Sequence, residues 1–351
     1  MSNSIKIILQ ALSNDAVIRS IRGIVALVLK DSVVGINTYK GKKYVKDTFT
    51  AENKAIIDKC FDKYGVHTLK VVTYVENVSE ALNKIEDVEK FNYLACPEAT
   101  TDADKKLISD FIKSQRNNNN ILVHAVLANY KGDHEGVINF TNTLVTDEYG
   151  EYNGSKFCVD VACMIATLSI ERSLTNYVIK GVKSVEGLPE DNELATQNGE
   201  LFIYYDYDME AYIFSDGVNS LTTLGDDEKE ILKKIRICEI FDMVRDDLKV
   251  SFKKSYRGKI GNSYNNRKLI RDSFNMYFKS LARQGLLNED EDNSCWLDVD
   301  ATKEYLESKG IDTQDMTDDE ILKKDIDNKL FLKGHIYALD TIDELEFVIN
   351  Y

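Results

Sequence analysis

The sequence predicts an α/β protein: a doubly wound domain on a mixed sheet, a smaller α+β C-terminal domain, and extended N- and C-terminal arm strands. Three observations carry this reading. The run GIVALVLK, Gly23 to Lys30, is continuously apolar, as in a strand buried on both faces. As far as Ala128, strand-like runs alternate with helical patterns at short spacing, the signature of parallel βαβ units. With 351 residues, 43 % of them apolar and 10 % aromatic, the chain can bury a sizeable core and divide it between domains. The expected boundaries are 1–20 for the N-terminal arm, 21–225 for the α/β domain, 226–339 for the C-terminal domain and 340–351 for the C-terminal arm.

Taken in order, Ile5, Ile7 and Leu9 recur with period two and read as a strand. A short polar stretch, Ser13 to Ser20, joins it to GIVALVLK. A polar loop through Gly35 and Gly41 follows. Thr50 is placed to cap a helix, AENKAIIDKCFDKY, that stops at Gly65. LKVVTYV is a strand, Ser79 opens a short helix, and FNYLAC is a strand ended by Pro97. Thr101 or Asp102 starts a helix that breaks in the run Asn117 to Asn120, and ILVHAVLA is the next strand. VINFTNTLVTDEYGEYNG reads as one strand and a loop, and Lys156 to Arg172 as an apolar helix. Within 177–225, LFIYYDYD and AYIF are expected hairpin partners. Asp226 opens a long helical region, acidic at its start and basic at its end as the helix dipole prefers. A helix from Ser263 to Gln284 stops at Gly285. A strand around Trp296, a helix from Thr302 to Gly310 and two last strand-like segments, KLFLKGHIYALD and ELEFVINY, complete the chain. In the last of these, Leu345, Phe347 and Ile349 share one face.

Composition excludes several classes of function. A net charge of −15 argues against a nucleic-acid binder, which needs a basic face, and against docking on an anionic membrane. No apolar run reaches the length of a membrane span, and MSNSIKIILQALSND lacks the pattern of a secretory signal. Six scattered cysteines, without a CxxC pair, read as buried free thiols. The charge is laid down in blocks: Leu286 to Tyr351 holds 19 acidic and 6 basic residues, whereas Lys249 to Arg271 holds eight basic residues and no acid. Motifs that carry chemistry are missing. GINTYKGKK fails the GxxxxGK[ST] spacing, and the four histidines lack zinc spacing. There is also no GxSxG elbow, and no GxGxxG after a strand. No cofactor, no metal and no catalytic residue is expected. The alternative is a transferase-like α/β enzyme with an unrecognised site, whose mark would be a deep pocket of converging titratable groups in the first domain.

The two ends stand out. Each is an amphipathic strand joined to the body by a short polar segment, and an extended strand leaves its N–H and C=O groups unpaired unless it joins a sheet. One solution is β-augmentation of a neighbouring copy, which propagates head to tail into an open helix. The run Arg19-Ser-Ile-Arg-Gly-Ile-Val-Ala-Leu-Val-Leu-Lys-Asp31 resembles the N-terminal region of the short tail sheath proteins of PBSX-like prophages and R-type bacteriocins (diffocins). Ile260-Gly-Asn-Ser-Tyr-Asn-Asn-Arg267 with the helix to Gly285 resembles the C-terminal sheath domain, and Phe331 to Ile336 and Leu345 to Ile349 resemble its terminal strands.

The resemblance implies a structural subunit that polymerises with itself as stacked hexameric rings in a helical array around a tail tube. It implies baseplate and tail terminator proteins as further partners, with no nucleic acid and no direct membrane insertion. The particle would be assembled in the bacterial cytoplasm and released by lysis. The implied inter-subunit arm residues are Ile5, Ile7, Leu9, Leu345, Phe347 and Ile349. The basic block adds Lys253, Lys254, Arg257 and Lys259 as candidate tube-facing cations.

Overall fold

The computed structural model describes residues 22–348 apart from 33, 47, 86–89, 226–228 and 344. The expected N-terminal arm, with Ile5, Ile7 and Leu9, and Ile349 of the C-terminal arm lie outside the described residues. Two compact units emerge, one from Ile240–Asp340 and the other from the described parts of Ile21–Glu239 and Thr341–Tyr351.

The larger unit is organised by β1 (Ile24–Lys30), whose alternate side chains enter two different cores. Val25, Leu27 and Leu29 face one, and Ile24, Ala26 and Val28 face the other. This is why the apolar run is unbroken. Next come β2 (Gly35–Tyr39), α1 (Ala51–Asp62), β3 (Thr68–Tyr74), α2 (Val78–Ile85), β4 (Tyr93–Ala95), α3 (Asp102–Asn117), β5 (His124–Ala128) and β6 (Val137–Phe140). With β10 (Glu200–Leu201) these strands form a seven-stranded sheet in the order β10-β6-β5-β4-β1-β3-β2. All its pairs are parallel except β2 with β3, so the sheet is doubly wound and mixed, as expected. Ile57 and Cys60 of α1 pack in one core, and Val78, Leu82, Ile108 and Ile112 of α2 and α3 in the other. Thr50 Oγ1 accepts from Asn53 N and Thr101 Oγ1 from Asp104 N, the two predicted caps.

Three expectations need correction here. The polar loop through Gly35 is in part a strand: Gly35–Tyr39 pairs antiparallel at the sheet edge, where polar side chains are tolerated because one side meets solvent. The stretch from Val137 to Gly154 holds three strands, β6, β7 (Leu144–Asp147) and β8 (Glu151–Asn153). Short strands joined by polar turns carry too few residues to show a period. The apolar helix is α4 (Gly154–Thr167), started by the Asn153 side chain, which accepts from Lys156 N, and it stops five residues before Arg172. After it, β9 (Val182–Glu186) joins β7 and β8 in a small antiparallel sheet, and α5 (Asn192–Gln197) precedes β10. The expected hairpin is present as β11 (Ile203–Asp206) with β12 (Ala211–Phe214).

A helix, α6 (Ile235–Ser251), runs across the division between the units and ends in a π-helical turn, Phe252–Tyr256. In the smaller unit α7 (Tyr264–Arg283) is capped by Ser263, and the chain leaves it through Gly285 at φ 68, the left-handed conformation glycine adopts without strain. Strand β13 (Ser294–Leu297) lies against α7, where Asn275 accepts from Cys295 N at 2.7 Å and donates to Cys295 O at 3.0 Å. It is followed by α8 (Val299–Ser308) and by α9 (Asp318–Lys323), which opens with a complete capping box on Thr317 and Glu320. The last strand is β14 (Leu332–His335). It pairs antiparallel with β13, and among the described residues no strand follows His335.

Candidate functional site

The α/β unit holds a cavity of about 330 Å³ bordered by titratable groups. Its centre is Lys59, whose Nζ stands 2.7 Å from Asp160 Oδ1 and 3.1 Å from Asp147 Oδ2. Lys63, one helical turn on, reaches Asp147 Oδ2 at 2.6 Å. Tyr64 OH donates to Asp160, and Lys59 Nζ lies 3.7 Å from the centre of the Tyr152 ring. Burial pushes the Asp160 carboxyl up. Burial would also raise Asp147, but the two ammonium groups hold it below its ordinary value. Lys59, disfavoured by burial, is kept charged by both carboxylates.

Two carboxylates and two ammonium groups thus neutralise one another, tying α1 to α4 and to the β7–β8 turn. Such a set spends its charges on one another. The sequence carried a signal for it that went unread: Lys59 and Lys63 share a face of α1, and Asp160 is a lone acid in an apolar helix.

In a doubly wound sheet a ligand site is expected where the strand order reverses, at the C-terminal end of β1. There Asp31 accepts from Ser32 N (2.7 Å), Asn53 Nδ2 (2.7 Å) and Thr50 N (3.1 Å). Burial raises its carboxyl, these donors outweigh burial, and the result is a lowered pKa. Asp31 is therefore engaged in closing the β1–α1 loop. Among the described residues no group of His, Cys, Asp and Glu is arranged to hold a metal ion, and no helix is long and apolar enough to cross a membrane. All six cysteines are free and buried.

The surfaces singled out in the sequence are more informative. Lys253, Lys254, Arg257 and Lys259 are all exposed and crowd the π-helical turn and the loop after it, with Lys259 Nζ donating to Lys254 O. They are one cationic promontory. At the other candidate site, Leu345 is 89 % and Phe347 74 % exposed, and neither belongs to a strand. Asp343, just before them, is anchored on Lys234 at 2.9 Å. The sheet β13–β14 has only two strands among the described residues; Trp296 within β13 and Tyr337 just after β14 are 40 % and 39 % exposed.

Set beside known proteins, the architecture defines the class first. The sheath tail protein Lin1278 of Listeria innocua matches with a TM-score of 0.70 at 17 % identity, covering 84 % of this chain and 92 % of that one. The helical sheath of the anti-feeding prophage in its contracted state matches with a TM-score of 0.67 at 15 % identity, covering 95 % and 94 %. Both likenesses are of fold.

The sequence narrows the class to a family. Residues 73–220 match the phage tail sheath protein central domain and residues 227–346 the phage tail sheath C-terminal domain. The tail sheath protein of Clostridium phage phiCD119 is 30 % identical over 99 % of this chain and 98 % of its own length. The chain belongs to the phage tail sheath family: it is a tail sheath protein of contractile phage-like systems.

Proposed function

We propose that the subunit polymerises as stacked hexameric rings around a tail tube, and that the array shortens to drive the tube through a target envelope, with no catalytic step. In this reading 21–225 and 226–339 are the working domains, and 1–20 and 340–351 are arms exchanged between copies. The particle, a phage tail or a diffocin-like bacteriocin, is assembled in the cytoplasm and freed by lysis, with baseplate and terminator proteins at its ends.

The observation that carries this is the unspent C-terminal segment. Leu345 and Phe347 face solvent, while β14 has no strand on its other edge among the described residues. A strand from a sister subunit would satisfy both, pairing backbone groups and covering apolar side chains. Ile5, Ile7, Leu9 and Ile349 are assigned the same role. The self-neutralised Lys59 cluster and the occupied Asp31 favour a structural part over a transferase.

Lys253, Lys254, Arg257 and Lys259 are assigned to the tube. Exposed charge contacts are individually weak, about 0–1 kcal/mol each, which suits a surface that must let go when the array shortens. Electron microscopy of the purified protein with its tube is expected to show striated hollow cylinders. The double variant Lys253→Glu, Lys254→Glu should lose decoration of the tube while its melting temperature stays put. Failure of the parent protein to form cylinders under any condition defeats the assembly reading, and undiminished decoration by the variant defeats the tube assignment.

A further inference from the structure

Behind the basic turn lies a cleft of about 600 Å³ in the smaller unit, between that turn, the first turn of α7 and the loop before β14. Asn262 Nδ2 donates to Asp327 O at 2.8 Å and to Lys329 O at 2.6 Å, fixing one wall. Arg267 lines the cleft and is 3 % exposed. Its Nη2 donates to Lys324 O at 3.0 Å, but its Nε has no hydrogen-bond partner among the described residues. Burying a guanidinium with an unused N–H is costly unless an acceptor arrives.

Arg257 and Lys329 also line the cleft and are exposed. Its one lining acid, Asp327, is already engaged by Tyr305 OH at 2.7 Å and Lys309 at 3.1 Å. The first turn of α7 carries no acidic residue, so the positive end of that helix is also uncompensated there. Asp325 acts on the Arg267 guanidinium electrostatically, but no hydrogen bond from Arg267 Nε is present among the described residues, so the recess is cationic with that N–H still open.

We propose that this recess is a carboxylate site that receives the acidic face of the C-terminal segment, Glu344 and Glu346, from a second copy of this chain. The segment has the matching chemistry. In an extended strand Glu344 and Glu346 project from one face about 7 Å apart, while Leu345 and Phe347 occupy the other. Glu346 is exposed, and no partner is assigned to it among the described residues. A planar carboxylate accepts from a guanidinium edge such as Arg267 Nε–H, and the second carboxylate then falls to Lys329. The acidic face would be read by the recess while the backbone edge is left for sheet pairing and Leu345 and Phe347 pack on the other face, so charge sets the register that strand addition alone leaves loose. The proposal rests on the reading of the chain as a polymerising subunit, and it places the acid-rich end and the basic block in one contact.

The test uses the full chain and a fluorescent peptide of residues 343–350, followed by anisotropy at low and moderate salt. Binding is expected, weakening as salt rises, and falling about tenfold or more when Glu344 and Glu346 of the peptide are Gln. Lys329→Glu, an exposed change outside the tube-facing set, should weaken the parent peptide to a similar degree. Arg267→Gln should abolish salt-sensitive binding, and if that variant does not fold, Lys329→Glu carries the test. Equal affinity for the acidic and amide peptides, or an unchanged affinity with Lys329→Glu, overturns the proposal. Cylinder formation is scored separately. Cylinders without charge-dependent peptide binding leave the sheath reading intact and remove this site. Peptide binding without cylinders does the reverse.

Discussion

At the scale of single residues, the chain hides its chemistry where a stable core needs it. Lys59 is buried beside two carboxylates, a geometry that in an enzyme would mark a catalytic centre. Here Lys59, Lys63, Asp147 and Asp160 close on themselves. Removing one member leaves an uncompensated buried charge, whereas replacing a pair by apolar groups need not. Lys59→Met is therefore expected to destabilise the α/β unit by about 3–5 kcal/mol, and Lys59→Met with Asp160→Leu to recover most of that loss. Urea unfolding of the three proteins checks it; a double variant as weak as the single one would mean that the cluster fixes geometry beyond its charge balance. Little of this was legible beforehand, because Asp147 and Asp160 meet Lys59 only across long separations in sequence. Arg267 went unread for the same reason: the basic block was visible, but not which of its members would be buried.

At the scale of elements, what could be read depended on length and punctuation. Strands β1, β3, β4 and β5 were legible because each is a run of apolar residues, and α1 and α3 because they open on the capping residues Thr50 and Thr101, whereas α2 starts at Val78, one residue before the expected Ser79. Gly65 and Gly285 stood as predicted, both in the left-handed region. Strands of three or four residues, such as β7 and β8, were read less well, since their register is decided by partners the sequence does not name. Gly23 is the sharpest local requirement. It sits at φ +72 just before β1, and a Cβ there would lie 2.6 Å from Ala166 O at the end of α4. Neither the angle nor the backbone oxygen can give way cheaply. Gly23→Ala should lower stability by at least about 1–3 kcal/mol from backbone strain alone, seen as a lower denaturation midpoint with unchanged slope. A neutral result would show that α4 can retreat from β1.

At the scale of the whole molecule, the question is why such a subunit would wait to polymerise. Consider the C-terminal arm. Covering Leu345, Phe347 and Ile349 contributes about 5–9 kcal/mol, and about eight ladder hydrogen bonds add about 4–12. Fixing eight residues costs about 8–16 kcal/mol. The terms nearly cancel, so a single exchanged strand is marginal and only several formed together hold. The subunit should then persist as a monomer at low concentration and assemble abruptly on a template that presents many sites at once. Limited proteolysis distinguishes the states. Chymotrypsin is expected to cut at Phe347 rapidly in the monomer, where that side chain is 74 % exposed, and slowly in cylinders, with cleaved monomers failing to elongate. Protection of Phe347 in the dilute monomer would mean that the arm is already satisfied by its own chain. The driving force for the array would then have to come from faces of the folded units, with no strand passing between copies.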